Sequence, residues 1–361
     1  MSDVLRALLA ARTPTALAEL KPYVPDPTPV AVRLDANEAP ALLPTLTLDE
    51  RRVLAEVLTS IEPARYPDVR ATALRNALAR KLAVAPEQLV IGVGSDEVIA
   101  MLLTTLGRGP TSIVVPAPTF VMYRISARLH GIEVLEVPLD ADWDVDEART
   151  IAVIRERKPA LVFLATPNNP TSGVYSLDRV ERIIEAAAAC DPPTAVVVDE
   201  AYLPFRGDAW GAITGLDLLA KHPNVVVLRT FSKIGLAAFR VGWAVAHPLL
   251  AAEMEKTRLP YNLPTPSQVV ATAALGPLAA AIDRHVAAIV AERTRVVAIL
   301  GERVGRTDAN FAWMKVADAP RVAATLKERG VLVRSFPAYS DRIRVSIGTR
   351  EENDRFLEAL P

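Results

Sequence analysis

Residues 224–245, NVVVLRTFSKIGLAAFRVGWAV, carry an apolar run straight into Arg229, Thr230, Ser232 and Lys233, with Gly235 and Arg240 following. Lysine is rarely buried without a partner, so one at a strand end is either a surface group or an amine with a chemical task. Three other apolar runs end in polar groups. LVIGVG leads to Ser95, Asp96 and Glu97; LVFLA leads to Thr166-Pro167-Asn168-Asn169-Pro170; AVVV leads to Asp199, Glu200 and Tyr202. Each group also has a plain structural reading. Ser95 and Asp96 suit a helix N-cap, PNNPTSG suits a turn, Asp199 suits a solvated strand end, and Lys233 suits the surface. These readings weaken jointly if all four lie on one rim of one sheet, because a buried Lys near a buried Asp is costly unless each has a charged or hydrogen-bonded partner.

The elements that must position these groups alternate along the chain. TALRNALARKLAV has helical periodicity, QLVIGVG reads as a strand and SDEVIAMLLTTL as a helix. SIVV, IEVLEV, ALVFLA, TAVVVD and NVVVLR read as further strands. FVMYRISARLHG, 146–157 and 176–190 read as helices. The strands lack period-two alternation, as expected when helices cover both faces of a parallel sheet, and ligands bind beyond the carboxyl ends of such strands. After Pro260 comes a long helical pattern bent near Gly276-Pro277. A strand (NFAWMKV), a helix (319–329), two strands (VLVRSF and RIRVSIG) and a last helix follow. The expected fold is α/β: a large domain over 46–260 with a mainly parallel, helix-covered sheet, and a smaller α+β domain over 261–361. Residues 1–45, rich in proline after a short amphipathic helix, form an arm and part of the small domain.

The chain has 361 residues, 51% of them hydrophobic, which is ample for a sizeable core. Lys+Arg number 41 against Asp+Glu 42, so no general basic field attracts nucleic acid. The one cysteine, Cys190, excludes an intramolecular disulfide and a cysteine-rich zinc site; no metal is expected. No uninterrupted apolar stretch reaches the length of a membrane span, and the expected location is the cytoplasm.

One cofactor meets the demands of these strand ends. Pyridoxal 5'-phosphate brings an aldehyde for a lysine, a ring nitrogen for an acid, and a phosphate for a helix N-terminus with hydroxyl and arginine support.

The ordered motifs resemble the fold type I aminotransferases, and within them the histidinol-phosphate aminotransferase family. ELKPYVP, RLDANEAP, RYPD (65–68), GVGSDE (92–97), PAPTFVMY (116–123), TPNNPTSG (166–173), VVVDEAY (196–202), RTFSK (229–233) and RIRVSIGTREEN (342–353) follow in the family's order over nearly the whole chain. The resemblance implies that Lys233 holds the cofactor covalently and then serves as general base. Asp199 faces the pyridine nitrogen, Tyr202 and Asn168 bind the ring's 3-oxygen, and Phe120 stacks on the ring. Ser95, Asp96, Glu97, Thr230, Ser232 and Arg240 surround the phosphate, with Tyr66 reaching it from the other subunit of a homodimer. Tyr23, Arg334 and Arg344, together with Asn168, receive the substrate.

The implied reaction moves an amino group from L-glutamate to 3-(imidazol-4-yl)-2-oxopropyl phosphate, giving L-histidinol phosphate in histidine biosynthesis. Rival readings are an aromatic-amino-acid aminotransferase, a threonine-phosphate decarboxylase and a cofactor-binding regulator. The chain departs from the family pattern in three places. Arg240 follows Lys233 by seven positions, one fewer than in many relatives; Ser172 interrupts Asn-Pro-Thr-Gly; and Phe120 stands where many relatives have tyrosine.

Overall fold

The computed structural model describes residues 2–14, 17, 20, 22, 24–207 and 210–361. The chain starts with a helix, Ser2–Arg12. It then reaches β1 (Val32–Arg33), which pairs in parallel with β10 (Val331–Leu332) and so ties the arm to the C-terminal part.

The main sheet has seven strands: β2 (Leu89–Val93), β3 (Ser112–Ala117), β4 (Glu133–Pro138), β5 (Leu161–Ala165), β6 (Ala195–Asp199), β7 (Val225–Thr230) and β8 (Val241–Val245). Their order is β2-β8-β7-β6-β5-β3-β4, and β8 alone runs antiparallel to both its neighbours. The continuous apolar runs have a direct cause. Val162 and Leu164, Val196 and Val198, and Val225 and Val227 enter one core. Leu161 and Phe163, Val197, and Val226 and Leu228 enter a second on the opposite face. Each face has its own layer to fill, so residues 161–165, 196–199 and 225–228 are all buried.

The smaller sheet has the order β11-β12-β9, all antiparallel, from β9 (Phe311–Lys315), β11 (Arg334–Phe336) and β12 (Tyr339–Ser346). The run VLVRSF, expected as one strand, is divided: Val331–Leu332 pairs with the arm, and Arg334–Phe336 pairs with β12.

The helical pattern after Pro260 breaks into Thr265–Ala274 and a longer helix beginning at Ala279, bent by 78°. The first of these packs on helices Leu48–Thr59 and Thr72–Leu82. It therefore packs against helices that precede residue 260 in the chain. Helix Leu48–Thr59 starts at a capping box, in which Thr47 Oγ1 accepts from Glu50 N and Glu50 Oε2 accepts from Thr47 N.

Candidate active site

One cleft opens beyond the carboxyl ends of the central strands. Its lining includes Ser95, Asp96, Phe120, Asp199, Tyr202, Thr230, Ser232, Lys233 and Arg240. The sequence separates these residues by up to 145 positions, and the crossovers of the parallel sheet bring them to one rim.

At one end lies a polar cup. Gly94, at φ +73, turns the chain from β2 into the helix Gly94–Leu106. The N–H groups that head this helix have no intrahelical acceptor. Gly242 in β8 lies against the Gly94–Ser95 backbone, where any side chain would collide. Arg240 follows the short turn Ala237–Phe239 in a left-handed conformation, φ +51. Its Nη2 donates to Asp96 Oδ2 at 3.2 Å and its Nη1 to Ser232 Oγ at 3.3 Å. Ser232 Oγ lies 2.9 Å from Thr230 Oγ1. Arg240 thus reaches the cup despite the short spacing from Lys233. Glu97, expected there, does not line the cleft. Its Oε2 accepts from Val93 N at 2.6 Å and from Asn262 Nδ2 at 2.7 Å, which commits the carboxylate to bracing the helix start.

In the middle of the cleft Asp199 is buried. Its Oδ2 accepts from the Tyr123 hydroxyl at 2.5 Å and its Oδ1 from Ala201 N at 2.9 Å. Burial, with the charges of Asp96 and Glu200 adding, pushes its pKa up to about 6 against the pull of those two hydrogen bonds. Burial and the Asp199 charge likewise push the Tyr123 phenol up. The next residue, Glu200, is also buried but points away, pairing with Arg229 at 2.7 Å and accepting from Gly215 N. Among the described residues Asp199 has no such cation. Phe120 meets Tyr123 edge-on at 5.5 Å.

Opposite, Lys233 Nζ lies 5.7 Å from the centroid of the Tyr202 ring. The Tyr202 oxygen accepts from Asn37 Nδ2 at 3.1 Å and Asn169 Nδ2 at 3.4 Å. Two donors occupy both hydroxyl lone pairs, so the phenol's own hydrogen is left to be given elsewhere. Asn168, expected to face the cleft, does not. Its Oδ1 accepts from Thr119 Oγ1, and its Nδ2 donates to Pro118 O and Thr171 Oγ1, which leaves it fully buried and internally satisfied. The asparagine in the cleft is Asn169.

Arg344 is buried where β12 approaches this wall. Its Nη1 donates to Asn169 Oδ1 at 2.8 Å and its Nη2 to Asp35 O at 2.6 Å. Arg344 thus adjoins the cleft through Asn169 rather than lining it, and its cross-strand partner Arg334 is exposed and also outside the lining. Tyr66 is 81% exposed, stacks on Tyr261 at 4.7 Å, and does not line its own chain's cleft. Tyr23 lies outside the described residues. Tyr123, Asn37 and Asn169 are the groups that sequence reasoning passed over. All three lie inside the quoted motifs PAPTFVMY, LDANEAP and TPNNPTSG.

The sequence pattern of the family "Aminotransferase class I and II" matches residues 31–360. A histidinol-phosphate aminotransferase of Methylibium petroleiphilum is 38% identical, covering 94% of this chain and 91% of its own. Another, of Aquifex aeolicus, is 37% identical and covers 96% of both. Among solved structures, histidinol-phosphate aminotransferase from Sinorhizobium meliloti in complex with pyridoxal-5'-phosphate superposes with a TM-score of 0.81 at 24% identity, covering 97% of both chains. The chain belongs to the class I and II aminotransferases and, within them, to the histidinol-phosphate aminotransferase family.

Proposed function

We propose that this chain uses pyridoxal 5'-phosphate to transfer an amino group from L-glutamate to 3-(imidazol-4-yl)-2-oxopropyl phosphate, giving L-histidinol phosphate. The observation that carries the reading is Asp199: a buried carboxylate with no side-chain cation among the described residues, in the same cleft as the Lys233 amine. The residues present fit the cofactor. A cationic ring nitrogen would relieve the burial of Asp199. The helix start at Ser95, with Thr230, Ser232 and Arg240, offers donors for a phosphate. When bound, the cofactor supplies a carbonyl carbon for amines and an electron-accepting ring.

The protein's own groups do the rest. Lys233 would hold the cofactor, and as a free amine it would move the proton at the substrate's α-carbon. Asp199, ionised, would pair with the ring nitrogen. Tyr202 would offer its remaining hydrogen to the ring's 3-oxygen, with Asn169 and Asn37 fixing the phenol's orientation. Arg344 takes the anionic end of the substrate, a carboxylate in one half-reaction and a phosphate in the other. A planar guanidinium can bind either through two parallel hydrogen bonds. The working unit is a homodimer in which Tyr66 serves the neighbouring cleft. Its 81% exposure, stacked on the exposed ring of Tyr261, supports that surface as the interface.

The test is a donor and acceptor screen with the purified, cofactor-loaded protein. Formation of 2-oxoglutarate from glutamate that depends on the imidazole keto phosphate is the expected result. Preference for an aromatic keto acid, or release of carbon dioxide from threonine phosphate, overturns the substrate assignment.

A further inference from the structure

The three-stranded sheet turns one face toward the larger unit, and its residues form a row of rings. On β9, Phe311, Trp313 and Lys315 share that face; Trp313 lies opposite Arg344 of β12, which lies opposite Arg334 of β11. Tyr202, at the cleft, meets Phe311 edge-on at 5.0 Å. The Arg344 guanidinium sits over both Phe311 and Phe336, at 5.6 and 5.7 Å. Phe336 meets Trp313 at 5.3 Å, and Trp313 meets Tyr339 at 5.8 Å. The row ends on a residue from the other unit. Trp143 meets Trp313 at 6.1 Å and Tyr339 at 5.9 Å, with Arg342 over its ring at 5.6 Å.

Trp143 has a left-handed backbone, φ +63, a conformation that bulky side chains rarely adopt. Its turn is heavily pinned. Asp140 Oδ1 accepts from the N–H groups of Asp142 and Asp144, its carbonyl accepts from Trp143 N, and its Oδ2 accepts from Arg179 Nη1 at 2.6 Å. Beside the ring the two units stand apart across a cavity of about 640 Å³, with Asp142 and Thr171 on one side and Arg306 and Lys315 on the other. The ring therefore meets the smaller sheet at Trp313, Tyr339 and Arg342, held there by a rigid and strained support.

We propose that Trp143 is a positioning residue for substrate binding: it wedges the three-stranded sheet against the larger unit and so sets where Arg344 meets the cleft. The inference rests on the reading that Arg344 receives the substrate's anionic end. Glycine tolerates positive φ, so Trp143→Gly keeps the turn and removes only the ring. Edge-to-face contacts of this kind predict a KM increase of roughly 5- to 50-fold for both substrates. The expected kcat and cofactor affinity stay within about threefold, and Trp143→Phe recovers most of the loss. Arg344→Lys alone should raise KM, and adding Trp143→Gly to it should cost less than about threefold more, since both act through one guanidinium. Unchanged KM in Trp143→Gly, with or without a lowered melting temperature, overturns the proposal, and so does full additivity in the double variant. Unchanged KM in Arg344→Lys overturns the underlying reading of Arg344 and this inference with it.

Discussion

The cleft has two walls built on different rules. On the seven-stranded side, Ser95, Asp199, Tyr202, Thr230, Ser232 and Lys233 each lie at a strand end or within three residues of one. Their side chains are short or anchored, and the backbone largely decides where they point. On the three-stranded side, Arg344, Phe311, Trp313 and Phe336 are carried within strands, and pairing register decides which face each one takes. Arg344 and Arg334 occupy the same rung, yet one is buried against Asn169 and the other is exposed. A strand-end wall should fail locally and completely when a side chain is lost. A strand-face wall should fail by degrees, through altered affinity.

The largest effect expected is for Lys233→Ala, on the strand-end wall. Loss of both the covalent anchor and the general base should lower turnover by roughly 10⁴-fold or more and remove the visible absorption that the cofactor acquires when bound to a lysine. Sustained multiple turnover by this variant without added amine would break the assignment.

Asp199→Asn comes next, and it separates folding from function. The folded-state pKa of Asp199, about 6, lies above the ordinary 3.8. The folded protein therefore holds the proton more tightly than the unfolded chain does. With respect to this group, cofactor-free protein is most stable below about pH 4 and loses stability as pH rises to about 6, by about 3 kcal/mol. Above pH 6 the penalty is constant. Asp199→Asn should flatten that slope and raise the melting temperature of the cofactor-free protein at pH 8, while abolishing most activity. A variant that is less stable at pH 8 would mean that the carboxylate is already well compensated without a ring cation.

Tyr123→Phe probes the same carboxylate more gently. The hydroxyl donates to Asp199 at 2.5 Å and holds its pKa down. Without that bond the Asp199 pKa rises, so a higher pH is needed to ionise it, and the acid limb of the activity profile should move up by about one unit. An unmoved limb would mean that the bound cofactor, rather than Tyr123, dominates the ionisation of Asp199.

These contrasts also explain what could be read from the sequence. The strand-end wall was legible because apolar runs terminate visibly, and Lys233, Asp199 and Tyr202 follow them directly. Asn168 was misjudged because neighbouring asparagines look alike in a string; only the fold decides that Asn168 bonds to Pro118, Thr119 and Thr171 while Asn169 faces the cleft. Glu97 was misjudged because its acceptors' partners, Val93 N and Asn262, combine a local and a distant contact. Tyr123 sits three residues after Phe120 in a quoted motif, and helical spacing alone would have set the two side by side. The strand order that buries Arg344 on the central strand β12 and exposes Arg334 on the edge strand β11 left no such trace, because both belong to ordinary alternating strands.

The smallest effect concerns the seam between the walls. Ser172, which looked like an insertion, is a single residue at φ +64. Its carbonyl accepts from Asp308 N at 2.8 Å and its hydroxyl donates to Arg306 O at 3.2 Å. Glycine there would relieve left-handed strain, worth about 1–2 kcal/mol, but would lose the hydroxyl's bond and add freedom to the unfolded chain, each worth about 1 kcal/mol. These nearly cancel, so Ser172→Gly should lie within about 1 kcal/mol of the natural protein. Alanine keeps the strain and loses the bond, so Ser172→Ala should be about 1 kcal/mol less stable than the natural protein. Thermal melts of the three proteins separate the two contributions. If alanine matched serine, the hydroxyl would contribute nothing at the seam, and the backbone bond from Asp308 alone would join the turn to the segment that leads into β9.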